Sequence, residues 1–221
     1  MCGIGGLVNT AYGHEEIADI LWLIADRGMH AGGMAWTQGD KIKTFKDSRS
    51  TRAMALDDSI LYRVDLDCPI VMLHARYATQ GSITDNRNNH PILYDNIVLT
   101  HNGVLRNDGR ILGLLGKTRR YEVDTEAIAA ALKYKGIAWA MKHIRGSMSL
   151  AWMDRNDPFT LNLCTNGENP LVIAKLDDGG HAYASSDYMI SHLGWTEMWN
   201  AKPFRHYKFL SNGDVVTKDL F

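Results

Sequence analysis

The sequence predicts an α+β fold in which two mainly antiparallel sheets lie between helices, and three observations carry that expectation. Strand-like segments come first, two helical stretches occupy the middle, and strand-like segments return after Gly146. The run Ile70-Val71-Met72-Leu73 is apolar without alternation, as suits a strand covered on both faces. No internal repeat, no Pro/Gly/Ser-rich linker and no compositional break divides the 221 residues, so one domain over 2–221 is the economical reading.

Taken in order, Gly3, Gly5 and Gly6 interleave with Ile4, Leu7 and Val8, a buried strand that other backbones or a substrate approach closely. Residues 14–26 put Ile17, Ile20, Leu21 and Ile24 on one helical face, and Arg27-Gly28 ends that helix. A turn-rich loop through His30 and Gly33 leads to short strands at 34–37 and 41–45. The polar segment 46–58 reads as a loop with a short helix. Residues 69–77 form the next strand, and a tight loop at Asn88-Asn89-His90-Pro91 precedes strands at 92–94 and 97–101 joined by Asp95-Asn96. Asp124 or Thr125 is the natural N-cap of a helix over 127–135, which Gly136 separates from a second over 137–144. Strands follow at 147–154, 160–165, 171–175 and 181–185, then a helix at 187–193 and two last strands at 204–210 and 215–218. Trp22, Trp36, Trp139 and Trp152 read as packing residues.

With 45% hydrophobic and 22% charged residues the chain can bury a full core, and its net charge of −1 supplies no basic footprint for nucleic acid. Cys2, Cys68 and Cys164 are too few and too scattered for a disulfide framework and include no CxxC pair, which points to the cytoplasm. No apolar run approaches the roughly 18 residues of a membrane span, and no basic-then-apolar leader opens the chain. The N-terminus is therefore read as mature protein and the membrane is excluded as a partner.

Cys2 is the chemical centre of the sequence. Removal of Met1 would leave a thiol and a free α-amine on one residue. A free α-amine has a reference pKa of about 7.7–8.0, so it can serve as general base to its own thiol. The predicted strands ending at Tyr77 and His101 carry polar residues beside glycines: His74, Arg76, Tyr77, Thr79, Gln80 and Gly81 on one, Thr100, His101, Asn102 and Gly103 on the other. Strand interiors position side chains and strand ends expose them, so these ends are a candidate site.

The ordered set Cys2-Gly3-Ile4-Gly5-Gly6, Arg27-Gly28, His74-Ala75-Arg76-Tyr77-Ala78-Thr79-Gln80-Gly81, Asn89-His90-Pro91, His101-Asn102-Gly103-Val104-Leu105, Asp124-Thr125-Glu126 and Pro170-Leu171-Val172-Ile173 resembles the class II glutamine amidotransferase domain. Each piece is weak alone and their joint order is specific. The likeness is to the glutaminase halves of glucosamine-6-phosphate synthase and phosphoribosyl-pyrophosphate amidotransferase. It implies the four-layer αββα sandwich of N-terminal nucleophile (Ntn) hydrolases. It also implies hydrolysis of the L-glutamine side-chain amide, with Cys2 as nucleophile and the Asn102 side chain and Gly103 N–H as oxyanion donors. Arg76 and Thr79 would take the substrate α-carboxylate and Asp124 its α-ammonium, in place of the capping role Asp124 has by itself. Arg27, Gly28, Tyr77 and His101 would support the site. His74, His90 and His101 are structural on this reading; no metal and no cofactor is implied.

Two positions depart from the family pattern. His30 stands where an Asp is usual, with consequences expected for how Arg27 is held. Asn169 stands where an Arg is common, with a looser rim expected. The chain ends where the amidotransferase domain would end, so the expectation is a partner: a separate synthase protein that accepts the ammonia, docking on the apolar stretch 195–204. A homo-oligomer is compatible with this. The competing readings are an Ntn acylase cleaving another amide, disfavoured by the paired charges Arg76 and Asp124, and a silent glutamine-binding regulatory subunit, favoured by a retained Met1.

Overall fold

The computed structural model describes residues 1–221. From the N-terminus the chain forms β1 (Gly3–Val8), α1 (His14–Ile24), β2 (Ala31–Gln38), β3 (Lys41–Asp47), the short helices α2 (Thr51–Ala55) and α3 (Asp58–Leu61), and β4 (Ile70–Arg76). It continues through β5 (Ile92–Tyr94), β6 (Ile97–Leu105), α4 (Asp108–Leu114), α5 (Thr125–His143), β7 (Gly146–Asp154) and β8 (Asp157–Thr165). β9 (Val172–Lys175), β10 (His181–Ala184), α6 (Asp187–His192), β11 (Met198–Asn200), β12 (Arg205–Phe209) and β13 (Val215–Asp219) complete it.

One sheet has the order β11-β9-β10-β1-β4-β2-β3 and the other β13-β12-β8-β7-β6-β5, with antiparallel pairing throughout. The period of two along each strand assigns side chains to layers. On β4, Ile70 and Met72 enter the core between the sheets, while Val71, Leu73 and Ala75 meet Ile17, Ile20, Leu21 and Ile24 of α1 on the other face. Val98, Ala151, Met153, Leu161 and Leu163 close the inter-sheet core from the second sheet, whose outer face packs on α4 and α5. The layers therefore run helix, sheet, sheet, helix, as the sequence predicts.

Several boundaries differ from the sequence expectation. β6 continues four residues past His101, because β7 still pairs with it from Asn102 to Leu105 after β5 has stopped at Leu99. Asn102 and Gly103 thus sit within a strand that no further strand covers on its outer edge. The segment 46–58 contains α2 and leads into α3, whose starts are capped by Ser50 Oγ and Asp57 Oδ1. α4 and the edge strand β11 were not anticipated. Gly136 breaks α5 with φ 77°, so its two halves are separate helices as expected. Trp36 and Trp152 are buried and Trp139 stacks on His143, but Trp22 is exposed on the outer face of α1 with the Arg52 guanidinium 5.1 Å from its ring centroid.

A buried polar cluster ties the two sheets together. The His74 and His90 rings stack at 4.0 Å, and His74 Nε2 bonds the His101 carbonyl at 3.1 Å. Because carbonyls only accept, His74 Nε2 and His101 Nε2, the latter on Ser147 O, must carry hydrogens. Neutral His101 then accepts the Thr125 hydroxyl at Nδ1, and His90 Nε2 must donate to Thr125 Oγ1. The Nδ1 atoms of His74 and His90 are left without partners. Burial, the largest cause, pushes His74 down to about 3 and lowers His90 and His101 as well, so all three are neutral near pH 7.

A Cβ at Gly3 would lie 2.4 Å from the Ile24 carbonyl oxygen, so Gly3→Ala is expected to destabilise the fold by about 1–3 kcal/mol in urea titrations. The histidine cluster makes stability pH-dependent. Below the ordinary histidine value of about 6.5 the unfolded chain binds protons that the folded chain refuses, so stability is lost as the pH falls. For His74 the loss approaches about 1.4 kcal/mol per pH unit as the pH falls towards about 3, and His90 and His101 act in the same direction. Urea midpoints measured between about pH 7 and pH 5 should fall, and fall less in His74→Gln.

Candidate active site

β1 lies between β4 and β10, and its register sets Gly3 opposite Ala75. Cys2 consequently meets the end of β4, where its sulfur accepts the Tyr77 N–H at 3.4 Å. The thiol is buried. Burial raises its pKa, against the lowering influence of the Tyr77 hydrogen bond, the chain-terminal ammonium and Arg76. Such a thiol needs a base to become a nucleophile. Arg27 Nε donates to the Cys2 carbonyl at 3.1 Å and fixes the backbone of that residue. Gly28 lets the turn after α1 press onto β4, since a Cβ there would lie 2.5 Å from Ala75 O. His30 does not hold Arg27; its Nδ1 accepts the Ala78 N–H at 2.9 Å and its ring lies against Tyr77.

A small cavity opens beside the sulfur, lined by Cys2, Arg76, Tyr77, Thr79, Gln80, His90, His101, Gly103, Val123, Asp124 and Thr125. Its volume is about 20 Å³, space for one water. Tyr77, Thr79 and Gln80 form its exposed side. A hollow of about 760 Å³ bordered by Gln38, Tyr62, Asp65, Asp67 and Cys68 is far roomier, but its charged lining is two carboxylates with no lysine or arginine, and the Cys68 thiol is engaged with the Asp65 carbonyl.

Arg76 is almost wholly buried. Its Nη1 donates to Asn89 Oδ1 at 2.6 Å and Ser82 O at 3.2 Å, while Nη2 donates to Gly81 O at 3.0 Å and to Gln80 O. Four of the five guanidinium donors are thereby committed to the 80–89 loop, leaving Nε–H. The sequence assigns that fork to a carboxylate, whereas in this structure it holds the loop. Asp124 does not cap α5. Its Oδ2 accepts the Leu105 N–H at 2.7 Å, and its Oδ1 has only a 3.4 Å contact from Thr125, whose hydrogen belongs to His101. One carboxylate oxygen therefore remains open at the cavity wall.

Asn102 is fully buried, and neither its amide nitrogen nor its amide oxygen has a partner. Leaving such groups bare costs about 1–3 kcal/mol. Gly103 has φ 155°, and a Cβ there would lie 1.9 Å from Ser147 O and 2.5 Å from His101 Nε2. Glycine is required there by neighbouring protein atoms. Asn169 is buried and its Nδ2 donates to the Asn102 carbonyl at 3.1 Å, so it is no part of a rim.

The structure thus brings Cys2, Arg76, Thr79, Gly103 and Asp124 to one cavity, with Tyr77 and His101 in its walls, Asn102 in the adjoining strand position and Arg27 behind the sulfur. It adds Thr125, which sequence reasoning treated only as a cap, and Asn89, whose bond to Arg76 no local signal announces. No three His, Cys, Asp or Glu side chains converge to hold a metal ion. Of the stretch 195–204, Met198, Trp199 and Phe204 are exposed, and Trp195 packs on the core. No helix is long and apolar enough to cross a membrane.

Comparison with known proteins supplies the family. A family described as a glutamine amidotransferase domain matches residues 74–192, more than half of the chain. The chain is 30% identical over 199 residues to the glutamine–fructose-6-phosphate aminotransferase (isomerizing) of Rhizobium meliloti, covering 85% of this chain and 32% of that protein. Identity to the corresponding Agrobacterium fabrum enzyme is 27% over 235 residues, covering 99% and 36%. The chain spans about a third of the length of these relatives. Among solved structures, the glutamine phosphoribosylpyrophosphate amidotransferase of B. subtilis superimposes with a TM-score of 0.81 at 20% identity, over 100% of this chain and 49% of that one. A glutamine aminotransferase class-II domain protein of Silicibacter pomeroyi gives 0.61 at 14%, over 100% of both chains. At those identities the superpositions speak for the fold, and together with the family match they lead to one statement: the chain belongs to the glutamine amidotransferase domain family.

Proposed function

We propose that residues 2–221 form a glutaminase domain that, once Met1 is removed, hydrolyses the side-chain amide of L-glutamine through a Cys2 thioester and passes the ammonia to a separate synthase protein. The observation that carries this reading is the buried, unpartnered amide of Asn102, the strand neighbour of Gly103, which lines the cavity that holds the Cys2 sulfur. Unpaired donors kept dry beside a nucleophile are suited to a charge that exists only in the transition state.

In the first half-reaction the sulfur attacks the amide carbon of glutamine and the thiol proton passes to the Cys2 α-amine. The carbonyl oxygen, now an oxyanion, takes hydrogen bonds from Asn102 Nδ2 and Gly103 N–H. Collapse breaks the C–N bond, the ammonium proton goes to the leaving nitrogen, and ammonia and the thioester result. In the second, water attacks the thioester, the amine accepts its proton, and glutamate leaves as the thiol is restored. The raised pKa of the Cys2 thiol makes the base necessary, and with Met1 in place that nitrogen is an amide unable to accept the proton. Asp124 Oδ1 is suited to the substrate ammonium. Arg76 Nε, with Nη groups released as the 80–89 loop shifts, is suited to the carboxylate. Met198, Trp199 and Phe204 offer apolar surface to an ammonia acceptor.

Intact-mass analysis before and after reaction with 6-diazo-5-oxo-norleucine tests the proposal. Loss of the initiator and one covalent adduct are expected, with no adduct in Cys2→Ala. Turnover of glutamine by trimmed Cys2→Ala, or a wild-type protein that keeps Met1 and never reacts, would sink it. Asn102→Ala is expected to lower kcat about 100- to 1,000-fold while leaving KM nearly unchanged. Its unfolding midpoint should not fall, because the amide it removes has no partner in the free protein.

A further inference from the structure

Gly103 poses a mechanical difficulty. A glycine peptide turns more easily than any other, yet a donor aimed at an oxyanion must hold its direction without reorganising. The peptide joining Asn102 to Gly103 is planar and trans, so whatever fixes the Asn102 carbonyl fixes the Gly103 N–H pointing the opposite way. Besides its place on β7, that carbonyl has one side-chain partner, Asn169 Nδ2 at 3.1 Å.

Asn169 is itself held. Its backbone carbonyl accepts the Ser149 hydroxyl at 2.8 Å and lies 3.2 Å from Thr165 Oγ1, and Pro170 follows it. Ser149 stands opposite Asn102 across β6 and β7, and Thr165 stands opposite Ser149 across β7 and β8. Asn102, Ser149 and Thr165 thus form one buried row across three strands, and Asn169 reaches that row from the connection leading to β9 in the other sheet. The row fastens the backbone of Asn102 and leaves its side-chain amide bare.

We infer that Asn169 is a positioning residue for the oxyanion site, its amide clamping the Asn102 carbonyl so that the Gly103 N–H faces the cavity. The inference rests on the glutaminase reading above. A long guanidinium is not needed for this task; a short amide donor between Glu168 and Pro170 reaches the carbonyl directly.

The test compares trimmed wild-type protein with Asn169→Ala and Asn169→Asp, the latter keeping the shape while replacing the donor by an acceptor. Two rates are read on each: glutamine turnover, and alkylation of Cys2 by iodoacetamide, a displacement at tetrahedral carbon that forms no oxyanion. The expected result is a kcat lowered about 100-fold, the usual scale for a misplaced catalytic group, with KM for glutamine and the alkylation rate unchanged. If Asn169→Ala does not fold, Asn169→Asp alone carries the comparison. Turnover and alkylation falling together mean a general structural role and overturn the inference, as does a kcat that does not fall. A trimmed wild-type protein that is alkylated yet releases no glutamate overturns the glutaminase reading instead, and this inference with it.

Discussion

The close seating of α1 and β4 on β1 governs where everything else can lie. β1 is nearly free of side-chain bulk at Gly3, Gly5 and Gly6, so a helix backbone and two strand backbones converge on it. That convergence brings the residue just before the strand against the last residues of β4, and the sulfur of Cys2 receives the Tyr77 N–H. The opposite sheet delivers the rest through β6, which outruns β5 and so presents Asn102 and Gly103 where no strand lies beyond them. The histidine and threonine chain between the sheets then fixes the spacing of the two contributions.

Much of this architecture is legible in the amino-acid order. The uninterrupted apolar run of β4 reports that both faces are covered, and the spacing of Ile17, Ile20, Leu21 and Ile24 reports the buried face of α1. Gly136 marks the break in α5 because only a residue tolerant of φ 77° suits it. Other elements leave no local trace. α2 and α3 are too short to show a period, and their starts depend on single capping side chains. β11 is three residues long and exists because β9 offers it an edge. Trp22 looks like core from its chemistry, yet its place on the α1 wheel turns it to solvent.

The site is legible to the extent that strand order is. Polar residues beside glycine at the ends of two apolar strands single out Arg76, Asn102 and Gly103, and the fold brings those ends to the sulfur. Which donors are already engaged cannot be read in the same way. The four loop contacts of Arg76 depend on the path of residues 80–89, and the Asn169 bond joins positions 67 residues apart. Both are properties of where loops close.

The engagement of Arg76 changes what selectivity means for this cavity. A guanidinium with four of its five donors already engaged by Gln80, Gly81, Ser82 and Asn89 offers an incoming molecule mostly an exchange of bonds, with Nε–H alone vacant. On the proposed reading, a free amino acid would bring an anionic group to compensate for the contacts it dislodges. An amide side chain still embedded in a polypeptide, or a neutral amide, brings none. Its entry would leave a buried cation undercoordinated, and exclusion of the wrong molecule would follow from the resting latch itself.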